Sequence, residues 1–217
     1  MNAIVLWVFV PIGVALFLFA FQDRKRIITF IGAGLALVLA AFAWVFPVGK
    51  IIRLGSWNFE VTGQFFVYGR QILITPEDMP ILIMLYLILA VWFLGSLVAN
   101  TPSYFVSIGM IILALLVTAM SIEPFFYAAI LFEFVVLLFV VLLSAPERSP
   151  TKGVIRFLIF QTLGMLFILF AGWLFSLIDI DLVDGKLFSR SLILMAIGFA
   201  FLLGIFHYLI LRINKIY

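Results

Sequence analysis

Among the ten acidic residues of this 217-residue sequence, one stands apart by its surroundings. Glu133 lies inside the apolar run 124–144, about 14 Å from either end of a helix that rises 1.5 Å per residue. A charged side chain at the centre of a membrane helix costs about 2.5 to 3.5 kcal/mol, so such a residue normally faces protein or water and serves an ion or proton path. Desolvation disfavours the charged form, and a carboxyl at that depth can hold a proton until a cation or a water chain reaches it. The structural alternative is a neutral, hydrogen-bonded carboxyl that joins two helices.

The other candidates are weaker. Glu123 lies at the outer end of the same run, beside Pro124, where it can serve transport or simply complement a helix N-terminus. Arg156 lies one turn into the run 154–177, either as a snorkelling anchor at the membrane surface or as the basic partner of a buried carboxylate. Gln161 and Thr162 follow on the same run as polar groups suited to hydrogen bonds across helices or to holding water. His207 is the only histidine and falls near the inner end of the last run, as a packing residue or a proton carrier. Asp179, Asp181 and Asp184 flank Gly185 with uneven spacing that does not match a calcium loop, and they read as a solvated turn. Without cysteine, and without phosphate-binding glycine motifs or a histidine-glutamate zinc motif, the chain offers no basis for nucleotide, flavin or metal chemistry. No cofactor, no metal and no nucleic-acid partner is expected.

The elements that must position these residues follow from composition. A chain that is 67% hydrophobic and 11% charged has too little polar surface for a water-facing globule. The phenylalanines sit in long uncharged runs, not in the alternation that a membrane barrel requires. Taking about 20 residues per crossing, spans are expected at 3–21, 27–46, 79–98, 104–121, 124–144, 154–177 and 190–211. The result is an all-α polytopic bundle of about seven helices in a single transmembrane domain, 1–217. The first run is followed by Arg24, Lys25 and Arg26 with no small-residue cleavage pattern, and it reads as a retained helix. Thr75-Pro76, Thr101-Pro102 and Ser149-Pro150 each pair a capping residue with a proline at a helix start.

Between the second and third runs, Ser56 to Thr62 alternates polar and apolar. Gly63 offers a turn, and Phe65 to Thr75 is rich in aromatic and β-branched residues, so a small external β-hairpin is expected there. Arg24, Lys25, Arg26, Arg148, Lys152, Arg212 and Lys215 share one side of the bundle. Lys50, Arg53, Arg70, Lys186 and Arg190 share the other. The short loops favour the first side as cytoplasmic, with the N-terminus outside. The expected location is the inner membrane of a prokaryotic cell.

The text Glu123-Pro124-Phe125-Phe126-Tyr127-Ala128-Ala129-Ile130-Leu131-Phe132-Glu133-Phe134, followed by Arg156-Phe157 and Gln161-Thr162-Leu163-Gly164, resembles the antiporter-like membrane subunits L, M and N of respiratory complex I. It is equally similar to Mrp-type cation/proton antiporters. The resemblance implies that Glu133 matches the family's helix-five glutamate, which takes part in proton translocation, and that Arg156 stands where lysine is usual. The family's seventh-helix lysine has no counterpart in 191–206, and His207 is followed by Tyr208 where the family has a helix-breaking proline segment. The family fold has about fourteen helices in two inverted halves, so this chain is expected to be the N-terminal half, as a subunit or a truncated form of one. The implied function is a proton-translocating, non-redox membrane subunit of an NADH-quinone oxidoreductase-like complex, with the bilayer and other membrane subunits as partners. A non-transporting module that packs with such partners is the alternative.

Overall fold

A computed structural model of the chain describes residues 2–46, 48–49, 51–54, 57–67, 69–99, 101–124, 126–143, 152–177 and 185–202. Each expected apolar run overlaps one α-helix, the part 203–211 of the last run lying outside the described residues, and the chain divides by its contacts into two units, residues 1–124 and 125–217.

The first unit holds α1 (Val10–Phe19), α2 (Lys25–Val45), α3 (Met79–Gly95) and α4 (Phe105–Ser121). A π-helical turn, Val5–Phe9, leads into α1. α3 shows why these sequences make helices for lipid and not for water. Leu82, Tyr86, Leu89, Ala90 and Phe93 recur at helical spacing and are buried, yet the opposite face carries Met84, Leu87, Ile88 and Val91, the last 70% exposed. A helix that is apolar on its outward face as well as its inward one cannot be solvated by water and belongs in a bilayer. Three helices are long and apolar enough to cross a membrane, Lys25–Val45, Pro76–Gly95 and Lys152–Ser176. The shorter apolar helices Val5–Phe19, Phe105–Ser121 and Tyr127–Leu142 accompany them. The protein is an integral membrane protein with an all-α architecture.

Two large buried polar side chains of this unit bond to neighbouring backbone, whereas the buried Ser107 hydroxyl has no partner among the described residues. The Tyr86 hydroxyl on α3 donates to the Trp7 carbonyl in the π-helical turn, and the Trp7 indole donates to the Leu39 carbonyl of α2 at 3.3 Å. Two hydrogen bonds thus tie three segments together where water is scarce. The Phe93 ring lies in a slot between two helices. A Cβ on Gly109 of α4 would stand 2.7 Å from its Cε1, and one on Gly32 of α2 would stand 3.3 Å from its Cδ2. Just past the C-terminus of α3, the Lys25 ammonium donates to the carbonyls of Ala99 at 3.3 Å and Thr101 at 2.9 Å. These acceptors follow a helix C-terminus, where a cation is electrostatically favoured.

The extramembrane segment differs from the single hairpin expected. β1 (Ile51–Leu54) pairs antiparallel with β2 (Trp57–Glu60), and β3 (Gln64–Val67) pairs antiparallel with β4 (Arg70–Leu73). Gly63 is the link between these hairpins, not a turn within one. Its carbonyl accepts from Ile74 N at 2.9 Å, and a Cβ there would collide with the Ile74 carbonyl. The tight turn falls instead at Gly69, where φ is 73°, a left-handed conformation that glycine adopts without steric cost. The helix start at Thr75 is as expected. Thr75 and Asp78 form a capping box around the 3₁₀ turn Pro76–Asp78, with Thr75 N donating to Asp78 Oδ2 at 2.8 Å.

The second unit holds α5 (Tyr127–Leu143), α6 (Lys152–Ser176) and α7 (Gly185–Leu202). Gly164 of α6 and Gly198 of α7 face each other closely, since a Cβ on Gly198 would stand 2.8 Å from the Gly164 carbonyl oxygen. Small residues at a crossing let two backbones approach, which is how membrane helices gain packing energy where burial from water contributes little. Gln161 adds a hydrogen bond across the same pair, donating from Nε2 to the Leu202 carbonyl at 3.0 Å.

Candidate functional site

α5 and α6 meet along a seam that begins with small and flexible residues. Ala129, Met165 and Ile168 are buried together, with Leu169 and Leu202 packed on them. One turn further along α5 from Ala129 comes Glu133, and three residues back along α6 from Met165 comes Thr162. Residues three or four apart share a helix face, so antiparallel helices bring these two side chains to the same level of the seam. The Thr162 hydroxyl donates to Glu133 Oε1 at 2.7 Å. Glu133 is half-buried, and its other oxygen, Oε2, is buried without a hydrogen-bond partner among the described residues.

The depth of Glu133 differs from the sequence expectation. α5 begins at Tyr127, not at Pro124, so Glu133 lies about 9 Å along the axis from the first residue and about 15 Å from the last. It remains within the apolar span but closer to one end.

Glu123 is not part of this helix. It lies exposed in β5 (Ile122–Glu123), which adds to the edge of β4 with Glu123 opposite Gln71. The following peptide bond to Pro124 is cis. The strand pairing gives Glu123 a structural setting in the first unit, whereas Glu133 belongs to the second.

Arg156 is exposed on α6. It precedes Thr162 by six residues, which on an α-helix means about 9 Å of rise and about 120° of rotation. It therefore presents to a different face from the one that meets Glu133, and its position one turn inside the helix suits an anchor at the membrane surface. His207 and the aspartates 179, 181 and 184 lie outside the described residues. Among the described residues no group of three or more His, Cys, Asp or Glu side chains is placed to hold a metal ion.

The structure thus joins Glu133 to Thr162, sets Arg156 on another face of α6, and assigns Glu123 to the other unit. The sequence signal for Thr162 was its polarity within an apolar run. What identifies it as the partner of Glu133 is the rotation of α6, fixed by the Gly164–Gly198 approach and the Gln161 hydrogen bond.

A carboxyl held this way can do limited chemistry. Among the described residues Oε1 has a neutral donor, Oε2 has none, and no metal-binding cluster adjoins either. The arrangement can store a proton, pass it to water or a cation-bearing group, or hold two helices together. No family model matches the chain, and neither a curated protein nor a solved structure matches it.

Proposed function

We propose that the chain is a proton-translocating membrane subunit, or one half of one, of an NADH-quinone oxidoreductase-like complex. Glu133 takes up and releases protons within the membrane and the chain carries no redox centre. The complex and the family rest on the resemblance around Glu123–Phe134 and Arg156–Gly164. The single observation that supports the proton role is the Glu133 carboxyl, which has one oxygen bonded to Thr162 at 2.7 Å and the other buried without a partner among the described residues. A permanently ionised group would leave that oxygen desolvated at a cost of several kcal/mol. A carboxyl that gains and loses a proton does not bear that cost throughout its cycle. The basic side of the bundle, with Arg24, Lys25, Arg26 and Lys152, is cytoplasmic in this reading, and the membrane is the inner membrane of a prokaryote. Neighbouring subunits supply both the coupling to electron transfer and the basic group that Arg156 does not bring to Glu133.

The same hydrogen bond favours a second reading, in which Glu133 joins α5 to α6 and carries nothing. Water access separates the two. The chain has no cysteine, so a Glu133→Cys variant offers a thiol reagent one target, and that thiol reacts as the thiolate, which needs water. Modification by a small charged reagent in the folded, membrane-inserted protein is the expected result. A thiol that reacts only after unfolding in detergent would favour the structural reading.

A further inference from the structure

Helical threonine and serine in this protein ordinarily bond to their own helix. Thr29 donates to the Lys25 carbonyl at 2.9 Å, Thr118 to Ala114 at 2.8 Å and Ser121 to Val117 at 2.8 Å, each four residues back. This is the usual choice for a hydroxyl past the first turn of an apolar helix, since the carbonyl one turn earlier is within reach, whereas Ser107, in the first turn of α4, has no partner among the described residues. Thr162 departs from it and donates instead to Glu133 Oε1 across the α5–α6 seam. The departure selects one oxygen of the carboxyl. A hydroxyl carries one proton, and Oε2 is left buried with no donor or acceptor among the described residues.

We infer that Thr162 is a positioning residue for the proton-carrying carboxyl, holding Oε1 and leaving Oε2 as the atom on which the transferred proton sits. The inference rests on the proton-carrying reading of Glu133. In the loaded state Oε2 bears the proton and Oε1 is the carbonyl oxygen that accepts from Thr162. On release the proton leaves Oε2 for water, the O–H bond breaks, and both electrons of that bond stay on the carboxylate. Uptake reverses the step. The Thr162 hydroxyl keeps its own proton throughout, because its bond to Oε1 is an accepting bond for the carboxyl in both states. Thr162 thereby fixes which way the carboxyl faces, and the Gly164–Gly198 approach and the Gln161 bond fix the rotation of α6 that aims Thr162.

The test is infrared difference spectroscopy across a pH titration of the purified full chain in lipid, with proton translocation measured on the same variants in the assembled complex. Glu133→Gln identifies the protonated carboxyl band as the one it removes. A hydrogen-bonded C=O stretches at lower frequency than a free one, so Thr162→Val is expected to move that band upward and Thr162→Ser to restore it. Translocation is expected to fall about tenfold in Thr162→Val, the scale of one hydrogen bond to a charged group, and to recover in Thr162→Ser. A Glu133 band that is present but unmoved in Thr162→Val overturns the role of Thr162 and leaves the proton-carrying reading standing. If Glu133→Gln removes no band at any pH, the proton-carrying reading itself is overturned.

Discussion

The Phe93 slot gives a prediction whose size follows from distances. Phe93 is fully buried, and its ring has Gly109 of α4 on one side and Gly32 of α2 on the other. In Gly109→Ala the new Cβ would start 2.7 Å from Phe93 Cε1, whereas carbon atoms rest about 3.5 Å apart or more, so the ring or the helix must move by roughly 0.8 Å. The ring has little room to yield, because on its Gly32 side even an absent Cβ would sit 3.3 Å away. Inserting a methyl group into such a core costs about 1 to 3 kcal/mol. Gly34 supplies the control, since it lies in α2 of the same unit and a Cβ there meets nothing within 4 Å. Both substitutions share the gain of about 1 kcal/mol that alanine has over glycine in a helix. Their difference therefore isolates the packing cost. Detergent-titration unfolding of the purified chain, followed by tryptophan fluorescence, is expected to rank Gly109→Ala below Gly34→Ala by about 1 to 3 kcal/mol. Equal stability of the two variants would refute the reasoning, because it would mean that Phe93 is not held between these helices.

Tyr86→Phe removes the hydroxyl that bonds to Trp7, and unfolding titrations should show a loss of about 0.6 kcal/mol, at most about 1.7, the range measured for hydrogen bonds between membrane helices. Lys25→Met removes the ammonium from the Ala99 and Thr101 carbonyls, so limited proteolysis should cut the 99–103 connection faster while the helices stay intact. Gly198→Val places three carbons against the Gly164 backbone and should part α6 from α7. Cross-linking of engineered cysteine pairs across that crossing should fall, with no change for pairs between α2 and α3.

The helices were legible because each depends on its own run of residues. Apolar length, the charged ends and the Thr75-Pro76 cap are local signals, and the capping box between Thr75 and Asp78 sits where they place it. The strands were harder. The pairing of Gln71 with Glu123 joins residues far apart in sequence, and no local pattern announces it, so Glu123 reads from sequence as a helix end. The turn was misplaced for a related reason. Gly63 and Gly69 are both compatible with a turn, and the choice is made by the bond from Ile74 N to the Gly63 carbonyl, which is a tertiary contact. At the site, the depth of Glu133 made it conspicuous, whereas the sequence left Arg156 open as its partner, although its six-residue spacing from Thr162 sets the two on different faces of α6. Which of those faces meets Glu133 depends on how α6 packs against α7, and that is set by two glycines whose approach only the fold reveals.

The central claim is that Glu133 carries protons and does not merely join two helices, and the most direct test is Glu133→Gln in the assembled complex. Glutamine keeps an oxygen for the Thr162 hydroxyl and cannot release a proton, so the helix contact survives while the proposed chemistry is removed. The measurement is the number of protons moved per NADH oxidised in membrane vesicles that contain the variant subunit at its normal level. The account predicts that this number falls, with NADH oxidation by the complex still detectable. An unchanged number would contradict it and leave Glu133 as a structural residue.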